Sequence, residues 1–423
     1  SGDTHVHWGR TWVYLGDDAA DIARIQRAAD CRAVAVLALS QWDGYQEVFT
    51  PVHHPMGPID EHSDGTHVMG MDEEYRNSGP YGHVNLLGLS RMVTPVSTGD
   101  TRGGPGTPDF PDNAYVFRAA HAQGAIALCS HGIFAFDRVL AALGLLDAAD
   151  QSDPASWYPL LQCGFRIPVT VGTDANARPL GKMRTYVRLD GPLSYPAWVD
   201  GIRWGRTFVT SGPLLRLTVR EEREGTGSPA EPGDVLRPAT GSWLRVEAEA
   251  LADPRMDPHH PGPLQFLEIV RNGQVAARVE PGAPSGGEPG DGSDKGPIDA
   301  PGDGSEPEQA VAPGDGVSRL CLSVRLPAGP SGWIAARTSA GAVCDWMDIA
   351  PSAHTSPVYI ECDGQPMGPD PAAADRIAGE LDAYLADLPR RAVFATPAQQ
   401  EEVEERVRTA IRIYRRMAGG DAP

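Results

Sequence analysis

No apolar run in the chain approaches the roughly 18 residues that a membrane-spanning helix needs, and no signal peptide is expected ahead of Ser1. A cytoplasmic protein is expected, with secretion the alternative if an upstream segment has been removed. Positive charge is scarce: 36 Lys plus Arg stand against 56 Asp plus Glu, a net charge of −20. That balance repels phosphate backbones and anionic membranes, so neither nucleic acid nor a membrane is expected as a partner. The six cysteines lie far apart, with no pair at the two-residue spacing of a zinc knuckle or a dithiol redox motif. They read as small buried hydrophobes, one bridge in a secreted protein being the alternative. No glycine-rich phosphate loop, nucleophile elbow or dinucleotide fingerprint stands between a strand and a helix.

What the chain does have is length. Its 423 residues suggest two or three domains at roughly 150 residues each, enough for a real core. Residues 1–213 alternate helical stretches with short apolar runs: helix 18–30 before the run 33–39, helix 113–123 before 124–129, helix 157–163 before 167–172. Continuous apolar runs entered from helices mark parallel strands buried on both faces, and in such folds reactive groups gather where the strands end. From about residue 214 the period becomes two: 214–220, 243–250, 264–270 and 274–279 read as half-buried antiparallel strands, with the hairpin signal Asn272-Gly273 between the last two. A β-sandwich is expected over 214–360, interrupted at 281–316 by an acidic Gly/Pro-rich tract with almost nothing to bury, read as disordered. Strands 320–326 and 332–338 resume it, and two amphipathic helices, 371–388 and 397–418, form a C-terminal segment over 361–423.

Four segments carry metal-ligand chemistry. In Asp3-Thr4-His5-Val6-His7 a strand would turn both imidazoles to one face about 7 Å apart at Cα, close enough to hold metal, although such triplets also arise as packing features. Asp72-Glu73-Glu74 followed by Gly82-His83 offers carboxylates and an imidazole on adjoining strand ends, with a solvated acidic turn as the plain alternative. His131 follows the run 124–129, and Asp174 follows 167–172; each alone is equally readable as a polar strand cap. Four such deliveries to strand ends make coincidence the harder explanation. His53-His54, Asp64, His67, His259-His260 and His354 lack this context and read as loop, turn or packing residues.

These motifs resemble those of the PHP (polymerase and histidinol phosphatase) superfamily: Gly2-Asp3-Thr4-His5-Val6-His7, the Glu73 to Gly82-His83 block, His131 and Gly172-Thr173-Asp174. The runs Trp157-Tyr158-Pro159-Leu160 and Gly205-Arg206-Thr207-Phe208, with Gly332-Trp333-Ile334 and Ala353-His354-Thr355 further on, look like its CehA/McbA-type metallohydrolase branch, which includes carbamate insecticide hydrolases. The resemblance implies an α/β fold, a distorted (β/α)7 barrel with metals at the C-terminal strand ends, followed by the β-sandwich. It implies His5, His7, Glu73, His83, His131 and Asp174 as ligands, with Glu74 the fallback if the register slips by one. Where the superfamily usually places Asp-His and Asp-X-His, this chain has Gln41-Trp42 and Asp174-Ala175-Asn176, so one or two divalent ions are expected rather than three, zinc first and manganese or iron next.

The expected activity is hydrolysis of an amide, ester or carbamate bond in a small molecule by metal-activated water. Asp174 or Glu73 would orient the water and carry its proton; Lys182 and Arg184 would bind a substrate anion or stabilise the oxyanion, or else neutralise local acids. Trp8, Arg10, Gln41 and Trp42 would stand near the same mouth. A phosphoesterase is the enzyme alternative, disfavoured by the few cations near the motifs. A metal-depleted barrel that binds a partner or runs a condensation or cyclisation is the other. Oligomeric state leaves no signal.

Overall fold

The computed structural model describes residues 1–7, 19–38, 55–77, 79–95, 97–175, 179–223, 228–253, 262–282, 308–310, 317–341 and 351–419. Two compact units emerge, one of residues 1–209 with 368–423, the other of residues 210–367. The first is a mixed α/β unit. Strand Gly2–Val6 pairs in parallel with Ala33–Ala38, which pairs in parallel with Val68–Asn77. Val84–Leu87 then runs backward, antiparallel to both Val68–Asn77 and Ile126–Cys129. Ala148–Asp150 and Val169–Thr170 continue in parallel. The sheet curls, because the chain after Thr170 returns beside the first strand: Ala175 N donates to His5 O at 3.2 Å and Val6 bridges Ala175.

The apolar run 33–38 is buried on both faces, as its continuity implies. Val34, Val36 and Ala38 pack with Ile22 and Ala23 of helix Ala19–Ala28. Ala33, Ala35 and Leu37 pack with Leu87, Ile126, Leu128 and helix Tyr195–Arg203, whose Trp198 ring occupies the space a Cβ on Gly2 would need. That helix therefore packs against the start of the first strand, away from His5 and His7.

The expected C-terminal segment 361–423 is not separate, since residues from 368 onward belong to the first unit. Helices Pro371–Arg391 and Pro397–Met417 each begin with proline behind a capping side chain, Asp370 accepting from Ala372 N and Ala373 N, Thr396 from Gln399 N. Their buried stripe includes Ile377, Leu381, Tyr384, Leu388, Val403, Val407 and Tyr414. Tyr384 donates to Pro80 O, Tyr414 to Arg138 O and Arg406 to Asp112. The first of these helices runs past Pro389 to Arg391, three residues beyond the expected end, because a proline in the last turn forfeits one N–H and breaks little.

In the second unit Leu214–Glu221, Trp243–Ala252, Ser318–Pro327 and Glu308–Ala310 form one antiparallel sheet. Gln274–Val279, Leu264–Arg271 and Gly332–Ala340 run antiparallel in a second, joined by Ser352–Thr355 and Val358–Ile360. Asn272 and Gly273 both take positive φ, the hairpin geometry their sequence predicts. The tract 281–316 is corrected in part: Glu308–Ala310 pairs with Ser318–Pro327, and the rest beyond Gly282 lies outside the described residues. Cys31, Cys129, Cys163, Cys321 and Cys362 are free thiols, and Cys344 lies outside the described residues. Among the described residues no helix is long and apolar enough to cross a membrane.

Helix Ala135–Ala142 starts on a buried carboxyl. Asp137 Oδ2 accepts from Phe134 N at 2.7 Å, while its Oδ1 has no partner. Burial pushes its pKa up to about 7, the Phe134 N–H and Arg138 only partly opposing it. A raised carboxyl pKa means the folded state holds a proton the unfolded chain releases, so this stabilisation is complete below pH ~4 and lost as pH rises through about 7. Asp137→Asn should therefore melt several °C above the parent at pH 8, with the gap closing toward pH 5. Parallel melting curves across that range, followed by circular dichroism, would refute the assignment.

Candidate metal centre

The first strand slips in register between Asp3 and Val6. Val6 packs under helix Ala19–Ala28, and His5 and His7 lie to the other side with their Nε2 atoms 3.1 Å apart. Asp3 is buried at the slip and accepts from Thr173 N at 2.9 Å, Thr173 Oγ1 at 2.6 Å and Gly181 N at 3.0 Å, so it ties the returning segment to the strand. Gly172 permits the approach: a Cβ there would stand 2.4 Å from the Cβ of His5. Asp174 then arrives with φ of 46° and His131 with φ of 62°, left-handed backbone that few non-glycine residues adopt and that gathers at functional sites.

Around His7 three lone-pair groups meet. Its Nε2 is 3.1 Å from Glu74 Oε2 and 3.2 Å from Asp174 Oδ1; His5 Nε2 is 3.7 Å from each of the same oxygens. On the other side of Glu74, His83 Nδ1 is 3.0 Å and His131 Nε2 3.6 Å from Oε1. Two sets of ligand atoms fall within 4.8 Å of one another, His5–His7–Asp174 and His5–Glu74–His131. His5, His7 and Glu74 are fully buried at the side chain, and Asp174 is 17% exposed, which makes it the carboxylate that reaches the opening.

The donor set fits a divalent cation. His7 Nδ1 is 3.1 Å from Leu37 O, which commits that nitrogen's proton to the carbonyl and leaves the Nε2 lone pair for the centre. His5 Nδ1 faces the Asn85 amide at 3.1 Å, and Asn85 Oδ1 has no partner; turning the amide lets Oδ1 accept from Nδ1–H and frees Nε2 likewise. Asp150, fully buried near His5, accepts at Oδ1 from Thr4 and Thr170 but leaves Oδ2 orphaned. Burial lowers the pKa of His7, but Asp174 and Glu74 outweigh it and raise the net value. Burial alone would lift Glu74, yet Arg76 Nε at 2.9 Å and the imidazoles hold it well below the usual carboxylate range.

Glu73 does not belong to the centre. Alternation along Val68–Asn77 turns it to the opposite face from Glu74, where Oε2 accepts from Val93 N at 2.8 Å and burial pushes its pKa up to about 8. Arg184 is also corrected: its guanidinium donates to Gly181 O, Ala29 O and Asp30 O, a backbone anchor near the N-terminal strand ends. Lys182 sits in the preceding turn, its N–H bonded to Pro179 O. His83 arrives at the rim because the strand it precedes runs backward. Asp64 accepts from Thr66, His67 N and Arg27 in a local turn. His354 is partly buried in the second unit, its pKa pulled down to about 4 by desolvation, with Nδ1 against Thr355 O. Trp8, Arg10, Gln41, Trp42, His53, His54, Asn176, His259 and His260 lie outside the described residues.

Sequence reading missed Arg76, Asn85, Asp3 and Asp150. The first two carried a usable signal, each standing two residues along a strand from a named ligand, Glu74 and His83, and hence on its face. Asp150 ends a strand of three residues, too short to show a period. No protein-family model and no curated protein matches this chain.

The two neighbouring glutamates separate cleanly by experiment. Glu74→Gln should weaken zinc or manganese binding about a hundredfold or more, whereas Glu73→Gln should leave it within a few-fold, measured by competition with a chromogenic chelator. Equal losses in the two variants, or a loss in Glu73→Gln alone, would overturn the register that turns Glu74 toward the imidazoles.

Proposed function

We propose that the N-terminal unit is a metal-dependent hydrolase of the PHP barrel type its sequence resembles, acting on an ester, amide or carbamate bond of a small molecule. The observation that carries this is the meeting of His7 Nε2 with Glu74 Oε2 and Asp174 Oδ1 at 3.1 and 3.2 Å while Leu37 O occupies the other imidazole nitrogen. Either His5, His7 and Asp174, or His5, Glu74 and His131 with His83 adjoining, would hold an ion, the one free nitrogen of His5 serving a single ion in either set. When bound, such an ion lowers the pKa of water and polarises a carbonyl or phosphoryl oxygen.

The chain's own residues supply the rest. Arg76 keeps Glu74 ionised, so the ligand set carries negative charge into a buried site without a proton. Asp174, partly open to solvent at the rim and tied back through Thr173 to Asp3, is placed to orient a water molecule and accept its proton. Leu37 O and Asn85 fix the two imidazole rings, limiting reorganisation when a ligand arrives.

Metal analysis of the purified chain after loading with zinc, manganese or iron, alongside turnover of aryl ester, carbamate, anilide and phosphate substrates, tests the reading. Replacing His5 and His7 together by Ala should remove the ion and the turnover while leaving the second unit folded. Stoichiometric metal with full activity in that variant, or no ion in the parent under any loading, would refute it.

A further inference from the structure

A cavity of about 360 Å3 adjoins the centre, with His83 and His131 in its wall. Arg102, Arg391, Phe134 and Tyr384 also line it, and among the described residues that line it none is Asp or Glu. That is unusual ground for a chain of net charge −20. Arg391 gets there because helix Pro371–Arg391 continues past Pro389, and its Nη2 is pinned on Gly79 O at 3.1 Å. Its nearest acid, Asp387, stands 3.8 Å from Nε at a side chain 47% exposed, a loose pair that neutralises little. Phe134 is 48% exposed, an uncovered apolar ring beside His83. It lies over Gly82, where a Cβ would come within 3.2 Å of the ring and where φ is +84°.

We propose that this cavity is the substrate pocket of the centre and that it selects small organic oxyanions. Arg102 and Arg391 take the carboxylate or phosphate, Phe134 covers an apolar or aromatic body, and the scissile bond lies toward His83 and His131. The volume suits a molecule of modest size, at the lower end of the roughly 300–1,000 Å3 typical of ligand pockets. Guanidinium groups match planar oxyanions through paired N–H donors, and a charge-assisted bond in a partly desolvated cleft is the stronger kind. The C-terminal helix thereby becomes part of the site, delivering a cation from some 300 residues beyond Glu74. The inference rests on the metal-centre reading for what happens to the bound molecule, but the anion grip can be read without it.

The test is calorimetric binding of benzoate, phenyl phosphate and neutral benzamide to the metal-loaded chain, to His7→Ala, and to Arg102→Gln and Arg391→Gln. Arg390→Gln serves as the charge control, being an exposed neighbour paired with Asp387 and not lining the cavity. Each pocket substitution should weaken binding of both anions about tenfold with metal content and melting temperature unchanged, and Arg→Lys should restore part of the loss. The control should change nothing, and benzamide should bind more weakly than benzoate throughout. Turnover of a carboxylate-bearing aryl ester against an aryl phosphate then tells a remote carboxylate from a scissile phosphate. Anion affinity within twofold of the parent in the double Gln variant, or an equal effect of Arg390→Gln, overturns the pocket even if the ion binds stoichiometrically. Anion binding in a parent chain that takes up no ion under any loading refutes the metal centre alone.

Discussion

Four lone-pair groups, two imidazole nitrogens and two carboxylate oxygens, are pressed together within 3.1 to 3.7 Å at one rim of a curled sheet. Such an arrangement is costly unless something positive shares the space, because buried acceptors without donors lose their hydration and gain nothing in return. Protons can fill that role, and the two carboxylates raise the pKa of His7 in that direction. A divalent cation fills it better, since it takes several lone pairs at once. The rest of the unit makes sense as a frame for this crowding.

That frame has three parts. Asp3 clamps Thr173 and Gly181, so the segment carrying Asp174 is held against the strand carrying the imidazoles, and Gly172 supplies the missing Cβ that lets the two backbones approach. Arg76 sits under Glu74 and keeps its charge inside the unit. Leu37 O and Asn85 hold the rings from behind. Each acts through another residue, which is why none of them stands out as a ligand.

The reversed strand Val84–Leu87 and the returning C-terminal helices decide what the centre faces. Reversal brings His83 to the rim from the wrong end of its strand, and the helices bring Tyr384 and Arg391 to the wall beside it. A unit closed only by its first 209 residues would lack that wall. The scarcity of cations near the motifs, which disfavoured a phosphoesterase, is a scarcity along the chain, and in space Arg102 and Arg391 line the cavity beside His83.

The amino-acid sequence by itself determined the α/β grammar of the first unit, the period-two strands of the second and the Asn272-Gly273 hairpin, and it marked His5, His7, His131 and Asp174 as ligand-type side chains at strand ends, because each is a local pattern of side-chain type against a fixed period. The resemblance implied Glu73 with Glu74 only the fallback, and that choice was fragile, since adjacent carboxylates differ only by which face a strand turns, and a one-residue slip in register reverses that. Only the tertiary structure chose Glu74, took Arg184 away to the backbone near Ala29, and joined residues 368–423 to the first unit. The reason is the same in each case: contacts between residues far apart in the chain depend on where whole elements pack, and no period along the sequence carries that information.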